Sequence, residues 1–226
     1  MKLGIIIFAR SSSTRFKGKV LKKINNVSIL EIIHQRLLKV SKKKNLPIII
    51  ATTNNPLDLK IVKLCKKKNF KYFRGSENNV LNRAIKCCEK FNLNAFVRIC
   101  ADRPFLDYGL LKKMINVFYK NKFDIVTNTF PKTFSYGLTF EIIRISSIKK
   151  MKSKQTLSSD KEHILNYFYR NSNEFKIKNF FNKNKKNKNF KLSLDTKKDL
   201  SFFKKIFKEN NFNFLIKTNS VIKSLN

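Results

Sequence analysis

The stretch IIIFARSSSTRFKGKVL, Ile5 to Leu21, decides how the rest of the chain is read. A bare hydrophobic run passes directly into a loop holding two arginines, four hydroxyls, a glycine and two lysines. The run has the length and composition of a buried strand, and cations and small hydroxyls placed after one are poor material for a core. The loop lacks both the Gly-x-Gly-x-x-Gly pattern of dinucleotide folds and the Gly-Lys-Ser/Thr ending of a P-loop. It still sets flexible Gly18 beside the cation Lys19, with Arg10 and Arg15 as forked donors suited to phosphate oxygens. On these residues alone, a triphosphate-binding loop and a solvated basic loop both stand.

Working outward, short apolar runs alternate with longer helical patterns through the first 130 residues: LGIIIF, SILEIIHQRLLKV, PIIIAT, PLDLKIVKLCKKK, FKYFRG, ENNVLNRAIKCCEKF, AFVRICA, YGLLKKMINVFYK, FDIVTN. This alternation predicts βαβ units, hence an α/β fold with a mainly parallel sheet and helices on both faces. Ser28 and Glu31 form a capping-box pattern at the first helix, and Pro56 suits the first turn of the second. Ligands of open α/β sheets bind beyond the carboxyl ends of the strands, which picks out the loops after Phe8, Ala51, Phe73 and Cys100. After residue 130 the alternation breaks. TFSYGLTFEII reads as a strand or hairpin, SSDKEHILNYFYR as a short amphipathic helix, and KLSLDTKKDLSFFKKIF as a strand turning into a final helix. The low-complexity NKNKKNKN, residues 182–189, reads as a mobile loop. The length suits one domain over residues 1–226, with a small substrate-side or dimerisation insertion at about 130–180 and a tail at 210–226.

The 50 basic and 14 acidic residues give a formal charge of +36, which by itself would point to a polyanion. The basic residues are 41 Lys and only 9 Arg, spread along a chain rich in Asn, Ile and Phe, as an AT-biased coding sequence would produce. A solvated lysine surface accounts for this, and the aromatic spacing carries no RNA-binding signature, so no specific nucleic-acid partner is expected. Against that background, positions that keep Arg mark places where a planar bidentate donor matters; Arg10, Arg15, Arg74, Arg83, Arg98 and Arg103 fall around one site, and Arg36, Arg144 and Arg170 do not. Four cysteines without a CxxC spacing read as reduced thiols rather than a metal site. No apolar run approaches the roughly 18 residues of a membrane span, and a cytoplasmic location is expected.

The second constellation is RICADRPFLD, Arg98 to Asp107. Asp102 follows an apolar strand at the ligand-binding edge, a place suited to Mg²⁺, which takes one or two protein carboxylates and leaves the rest to phosphates and water. A helix cap or a pair with Arg103 is the alternative. LSLDT offers a second carboxylate, Asp195, again ending a short apolar run.

FARSSSTRFKGKVLKKINNVSILEIIHQRL, IIIATTNNPLD, YFRGSENNVLNRA, VRICADRPFLD, EHILNYFYR and LSLDTKKDL occur in an order and spacing that resemble the spore coat polysaccharide biosynthesis protein F family of cytidylyltransferases, over about residues 3–207. The resemblance implies a glycosyltransferase-A-like nucleotidyltransferase fold and an enzyme that activates a sugar or sugar acid from CTP with release of pyrophosphate, for surface polysaccharide or glycan biosynthesis. A nucleotidyltransferase using another nucleoside triphosphate or a glycosyltransferase of the same fold is the alternative, and a basic nucleic-acid-binding protein with a decayed site is the alternative from another class. It implies that Arg10, Ser13, Arg15 and Lys19 bind the triphosphate, with Ala9, Thr52 and Arg98 beside them, and that Arg10, Lys19 and Asp102 are catalytic. Asp102 and Asp195 would hold Mg²⁺. The turn Arg74, Gly75, Ser76 and the following Arg83 would lie near the nucleotide. Arg103, Gly137, Glu141, Glu162 and His163 would lie on the acceptor side, and a homodimer is expected by the same resemblance. Lys17 stands where the family commonly has Pro, Asn82 for a frequent Asp, and YGLTFE for an acidic DGLDVE-like stretch.

Overall fold

Ile5, Ile6 and Ile7 are fully buried in β1 (Leu3–Phe8), the hub of the sheet in a computed structural model that describes residues 1–152, 158–161, 164–182 and 190–225. Alternate residues face opposite layers, as the strand period requires. Ile5 and Ile7 join one core cluster while Ile6 joins another on the far face.

The chain runs from β1 through a small hairpin, β2 (Lys23–Ile24) and β3 (Val27–Ser28), into α1 (Ile29–Ser41), then β4 (Ile48–Thr53), α2 (Leu59–Lys67), β5 (Lys71–Gly75), α3 (Val80–Lys90), β6 (Ala95–Cys100) and α4 (Tyr108–Lys120). It continues through β7 (Ile125–Thr127), β8 (Glu141–Arg144), α5 (Ile145–Lys152), α6 (Asn166–Arg170), β9 (Ile177–Asn179), α7 (Lys197–Glu209) and α8 (Thr218–Lys223). Among the described residues seven strands pair in the order β5-β4-β1-β6-β8-β7-β9. β8 pairs antiparallel with both β6 and β7, and the other pairings in this sheet are parallel. Residues of α1, α2, α4, α7 and α8 cover one face and those of α3, α5 and α6 the other, which is the two-sided cover a mainly parallel sheet demands.

Local signals place several elements. Ser28 Oγ accepts from the Glu31 N–H while the Glu31 carboxylate accepts from the Ser28 N–H, completing the expected capping box of α1. Pro56 opens a 3₁₀ turn, Pro56–Asp58, that leads into α2. Three readings of the second half change. LSLD is not a strand of this sheet: the Leu194 N–H goes to the carbonyl of Asp102. The SSDKEHILNYFYR helix shrinks to a 3₁₀ turn at Ser158–Lys161 and the five residues of α6. The helix expected to be final, α7, is followed by α8. Most of the low-complexity loop, 183–189, lies outside the described residues.

Arg36 packs the C-terminal segment. Completely buried on α1, it donates to the carbonyls of Leu106, Phe214 and Ile216 at 2.8–3.0 Å and to Thr218 Oγ1 at 3.1 Å. Burial pulls its pKa down to about 10. His34, on the same helix, stacks on Phe70 with ring centres 3.8 Å apart, and burial lowers its pKa to about 4. Its role is packing.

Candidate functional site

The chain passes from β1 outward to β4 and β5, then returns to place β6 on the other side of β1. In open α/β sheets a ligand crevice forms beyond the carboxyl ends of the strands at such a reversal. A cavity of about 380 Å³ opens there. It is lined by Ala9, Arg10, Ser13, Arg15 and Lys19 of the opening loop, by Arg83 of α3, and by Arg98 and Asp102 of β6 and its end. The fold therefore brings eight of the expected site residues to one cavity.

At its floor Lys19 bridges two carboxylates. Gly18 adopts a left-handed conformation (φ 65°) leading into the 3₁₀ turn Lys19–Leu21, and its N–H closes the loop on the carbonyl of Ser11 at 3.0 Å. Lys19, 8% exposed, places Nζ 2.8 Å from Asp102 Oδ2 and 3.0 Å from Asp195 Oδ1. The bond from Leu194 N–H to the Asp102 carbonyl, 2.8 Å, ties the two acidic segments together. Arg15 reaches Asp195 Oδ1 at 3.0 Å, and Lys191 Nζ lies 3.5 Å from Asp195 Oδ2. Burial opposes ionisation of Asp195, but the Lys19 hydrogen bond and the charges of Lys19, Arg15 and Lys191 outweigh it, so its pKa lies below the ordinary carboxylate value. Among the described residues no group of three His, Cys, Asp or Glu side chains is arranged to hold a metal.

Thr52, Arg74, Gly75 and Ser76 do not line this cavity. Arg74 donates Nε to the Thr53 carbonyl at 3.1 Å and Nη2 to the Asn54 carbonyl at 2.8 Å, fixing the end of β4. Arg83 donates Nη1 to the Ser76 carbonyl at 2.5 Å and lies over the Phe8 ring. A Cβ at residue 75 would meet Phe73 Cε1 at 2.8 Å and Arg83 Cγ at 3.0 Å, so Gly75 makes room for the Phe73 ring and the aliphatic stem of Arg83. Burial first, and then the charge of Arg10, pull the Arg83 pKa down to about 10. The Arg83 Nε and Thr52 Oγ1 atoms are buried without hydrogen-bond partners among the described residues.

The expected acceptor side lies across β6. Arg98 and Glu141 pair in register between β6 and β8, with Nη1 3.3 Å from Oε2. The Cys100 charge first, and Glu141 next, raise the Arg98 pKa against the cost of burial. The Tyr169 hydroxyl shares hydrogen bonds with Thr127 Oγ1 at 2.9 Å and Thr129 Oγ1 at 2.6 Å, and burial lifts its pKa to about 12. Arg103 donates to the Thr139 carbonyl, and its Nε is 4.0 Å from Asp102 Oδ1. Gly137 has φ 98°, and a Cβ there would come within 2.3 Å of the Leu192 carbonyl oxygen, so this glycine permits the segment before β8 to cross the segment carrying Asp195. Glu162 and His163 lie outside the described residues.

Sequence reasoning missed Asp58, Glu77 and Tyr169. Asp58 accepts from the Ser11 N–H at 2.6 Å, and Glu77 accepts from Ser12 Oγ at 2.9 Å and Asn55 Nδ2 at 2.8 Å. A usable signal existed, because with only 14 acidic residues in the chain each one just after a strand merits a role.

No helix among the described residues is long and apolar enough to cross a membrane. The chain is 35% identical over 206 residues to the uncharacterized protein MJ1063 of Methanocaldococcus jannaschii, covering 90% of this chain and 82% of that one. It is 27% identical over 209 residues to the spore coat polysaccharide biosynthesis protein SpsF of Bacillus subtilis, covering 90% and 85%. The solved structure of a cytidylyltransferase from Leptospira borgpetersenii superposes with a TM-score of 0.92 at 29% identity, covering 100% of this chain and 94% of that one. A family profile described as cytidylyltransferase matches residues 4–221. With its sheet order, its switch-point cavity and this match over nearly its whole length, the chain belongs to the cytidylyltransferase family.

Proposed function

We propose that the protein transfers the cytidylyl group of CTP to a hydroxyl of a sugar or sugar acid, releasing pyrophosphate, in the making of a surface polysaccharide or glycan. The observation that carries this reading is the Lys19 ammonium held between Asp102 and Asp195 at the floor of the switch-point cavity. Phosphoryl and nucleotidyl transfer ask the protein chiefly for positioning and for stabilisation of charge. Arg10, Arg15 and Lys19 line one cavity, and with a triphosphate bound there they would stabilise charge on the α-phosphate and the departing pyrophosphate as the acceptor hydroxyl attacks in line.

The donor set fits Mg²⁺, since two carboxylates that already share one cation are the protein ligands such an ion takes. Asp102 and Asp195 would hold it, and the ion would neutralise phosphate charge and orient the oxygens. Lys19, displaced from the carboxylates, would turn its ammonium to the phosphates.

The test is thermal unfolding with CTP, UTP, GTP or ATP, each with and without Mg²⁺, on the wild type and Asp102→Ala. A Mg²⁺-dependent rise in Tm with CTP alone, lost in the variant, is expected. A flat response to all four nucleotides, or an unchanged response in Asp102→Ala, sinks the reading.

A further inference from the structure

The loop that carries Arg10, Ser13 and Arg15 is open on both sides. One face lines the cavity of about 380 Å³. Behind it lies a second cavity of about 590 Å³, bordered by Ser11, Ser12, Gly18, Leu21, Leu57 and Lys60. Phe16 and Lys19 are buried and anchor the loop's far end, but residues 11–15, between the two cavities, include no buried residue. The loop also holds Arg10, Arg15, Lys17 and Lys19 within ten residues, whose mutual repulsion favours splaying; on the cavity side Asp195 and Asp102 answer Arg15 and Lys19.

Two carboxylates oppose that tendency. Asp58 Oδ1 receives the Ser11 N–H at 2.6 Å, while its Oδ2 is held by the Thr53 hydroxyl at 2.5 Å and the Thr53 N–H at 3.3 Å. Asp58 is 1% exposed, so it is a fixed acceptor rather than a mobile surface group. Glu77 Oε1 receives Ser12 Oγ at 2.9 Å, and its Oε2 receives Asn55 Nδ2 at 2.8 Å. Asn55 in turn caps the turn that carries Asp58, through the Leu57 N–H at 2.9 Å. The loops after β1, β4 and β5 are thus joined by charge-assisted bonds, on the opposite side of β1 from β6 and Asp102.

We propose that Asp58 and Glu77 are positioning residues: two tethers that hold the Ser11–Ser12 shoulder so that Arg10, Ser13 and Arg15 are set for a triphosphate before it arrives. The role rests on the nucleotide reading above. Holding the loop in advance spares binding the cost of ordering it. Negative charge at the shoulder also balances Arg83, which sits buried in the field of Arg10.

The experiment is amide hydrogen exchange over residues 10–19 of the full chain without nucleotide, followed by calorimetric titration with Mg²⁺ and CTP. The variants are Asp58→Asn, Glu77→Ala, Ser12→Ala, the Ser12→Ala/Glu77→Ala double and Glu77→Gln. Loss of one charge-assisted bond should speed exchange of the loop about tenfold and weaken CTP by a similar factor, with residues outside the three loops exchanging as in the wild type. Ser12→Ala should reproduce part of the Glu77→Ala effect, because Glu77→Ala also frees Asn55; the double should add nothing beyond Glu77→Ala, and Glu77→Gln, which keeps an acceptor for Ser12, should restore most of the protection. Wild-type exchange of the loop in Glu77→Ala, or an additive double variant, overturns the proposal. The half-buried Ser12 and Glu77 pair decides the matter if Asp58→Asn destabilises the whole fold. Faster loop exchange in the variants of a protein whose wild type ignores CTP retains the tethers and removes the nucleotide reading they were argued to serve.

Discussion

Lys19 Nζ lies 2.8 Å from Asp102 Oδ2, so the ammonium stands where a divalent cation would need that oxygen. A divalent cation taken up by that carboxylate would compete with the ammonium. In Lys19→Met the competitor is gone. Mn²⁺ added without nucleotide should bind at least several-fold more tightly than to the wild type in calorimetry, while turnover of CTP falls on the order of 10²-fold, the scale of losing one preorganised charge. Weaker metal binding in the variant would show that Lys19 does not guard the carboxylates.

The depressed pKa of Asp195 sets a pH dependence. The unfolded chain takes up its proton near the ordinary value of 3.8, before the folded state does. Asp195 therefore contributes stability above about pH 4 that is lost as pH falls through its lower folded-state value. Lys19→Met removes its main hydrogen-bond partner, so the folded pKa rises and the acid limb of unfolding should move to higher pH. Urea unfolding from pH 2 to 6 checks this. Coincident acid limbs would refute it.

Gly137 is predicted to tolerate no side chain. Its φ of 98° and the 2.3 Å approach of a built Cβ to the Leu192 carbonyl oxygen leave no room without backbone movement. Gly137→Ala should cost about 2–4 kcal/mol. Because Leu192 leads into Leu194 and Asp195, Mg²⁺-dependent CTP stabilisation should weaken with it. A variant as stable as the wild type would show that this crossing yields easily.

Replacing Arg36 by Leu strips hydrogen bonds from three carbonyls, that of Leu106 buried, and from Thr218 at once. The cost should be about 3 kcal/mol or more, since bonds from a charged donor are worth more than neutral ones. For a chain of this length that is a drop of roughly 10 °C in Tm. Proteolysis should open first in the segment carrying α8, and uniform loss of protection would contradict this account.

How much of this was legible in the sequence depends on how local each determinant is. β1, β4, β5 and β6 were readable because each is an apolar run followed by a helical pattern, and both signals are carried within a few residues. β9, three residues long, and the non-strand LSLD were not, because what decides them is pairing with distant chain: β9 finds β7, and Leu194 finds the Asp102 carbonyl. The same division runs through the site. Lys19, Asp102 and Asp195 stand out because each ends a recognisable apolar or glycine-bearing motif. Asp58 and Glu77 act on Ser11 and Ser12 across 47 and 65 residues, a relation that no local pattern records.

β8 runs against its neighbours, and this gives the two halves of the cleft different freedom to change. On β1, β4, β5 and β6 the ligand edge lies at the strand's end, so their functional residues follow the strand. On β8 that edge is the strand's beginning, and Glu141 is its first residue. The exposed positions of residues 128–140, such as Tyr136, can change while Gly137, the buried Leu138 and Phe140, and the four parallel strands that carry the opening loop and Asp102 stay as they are. Substitutions such as Tyr136 and Thr139 in place of the family's acidic residues fall inside that span. On the function proposed above, a lineage could exchange one acceptor for another by editing exposed positions of a single connection, with the loop after β1 unchanged.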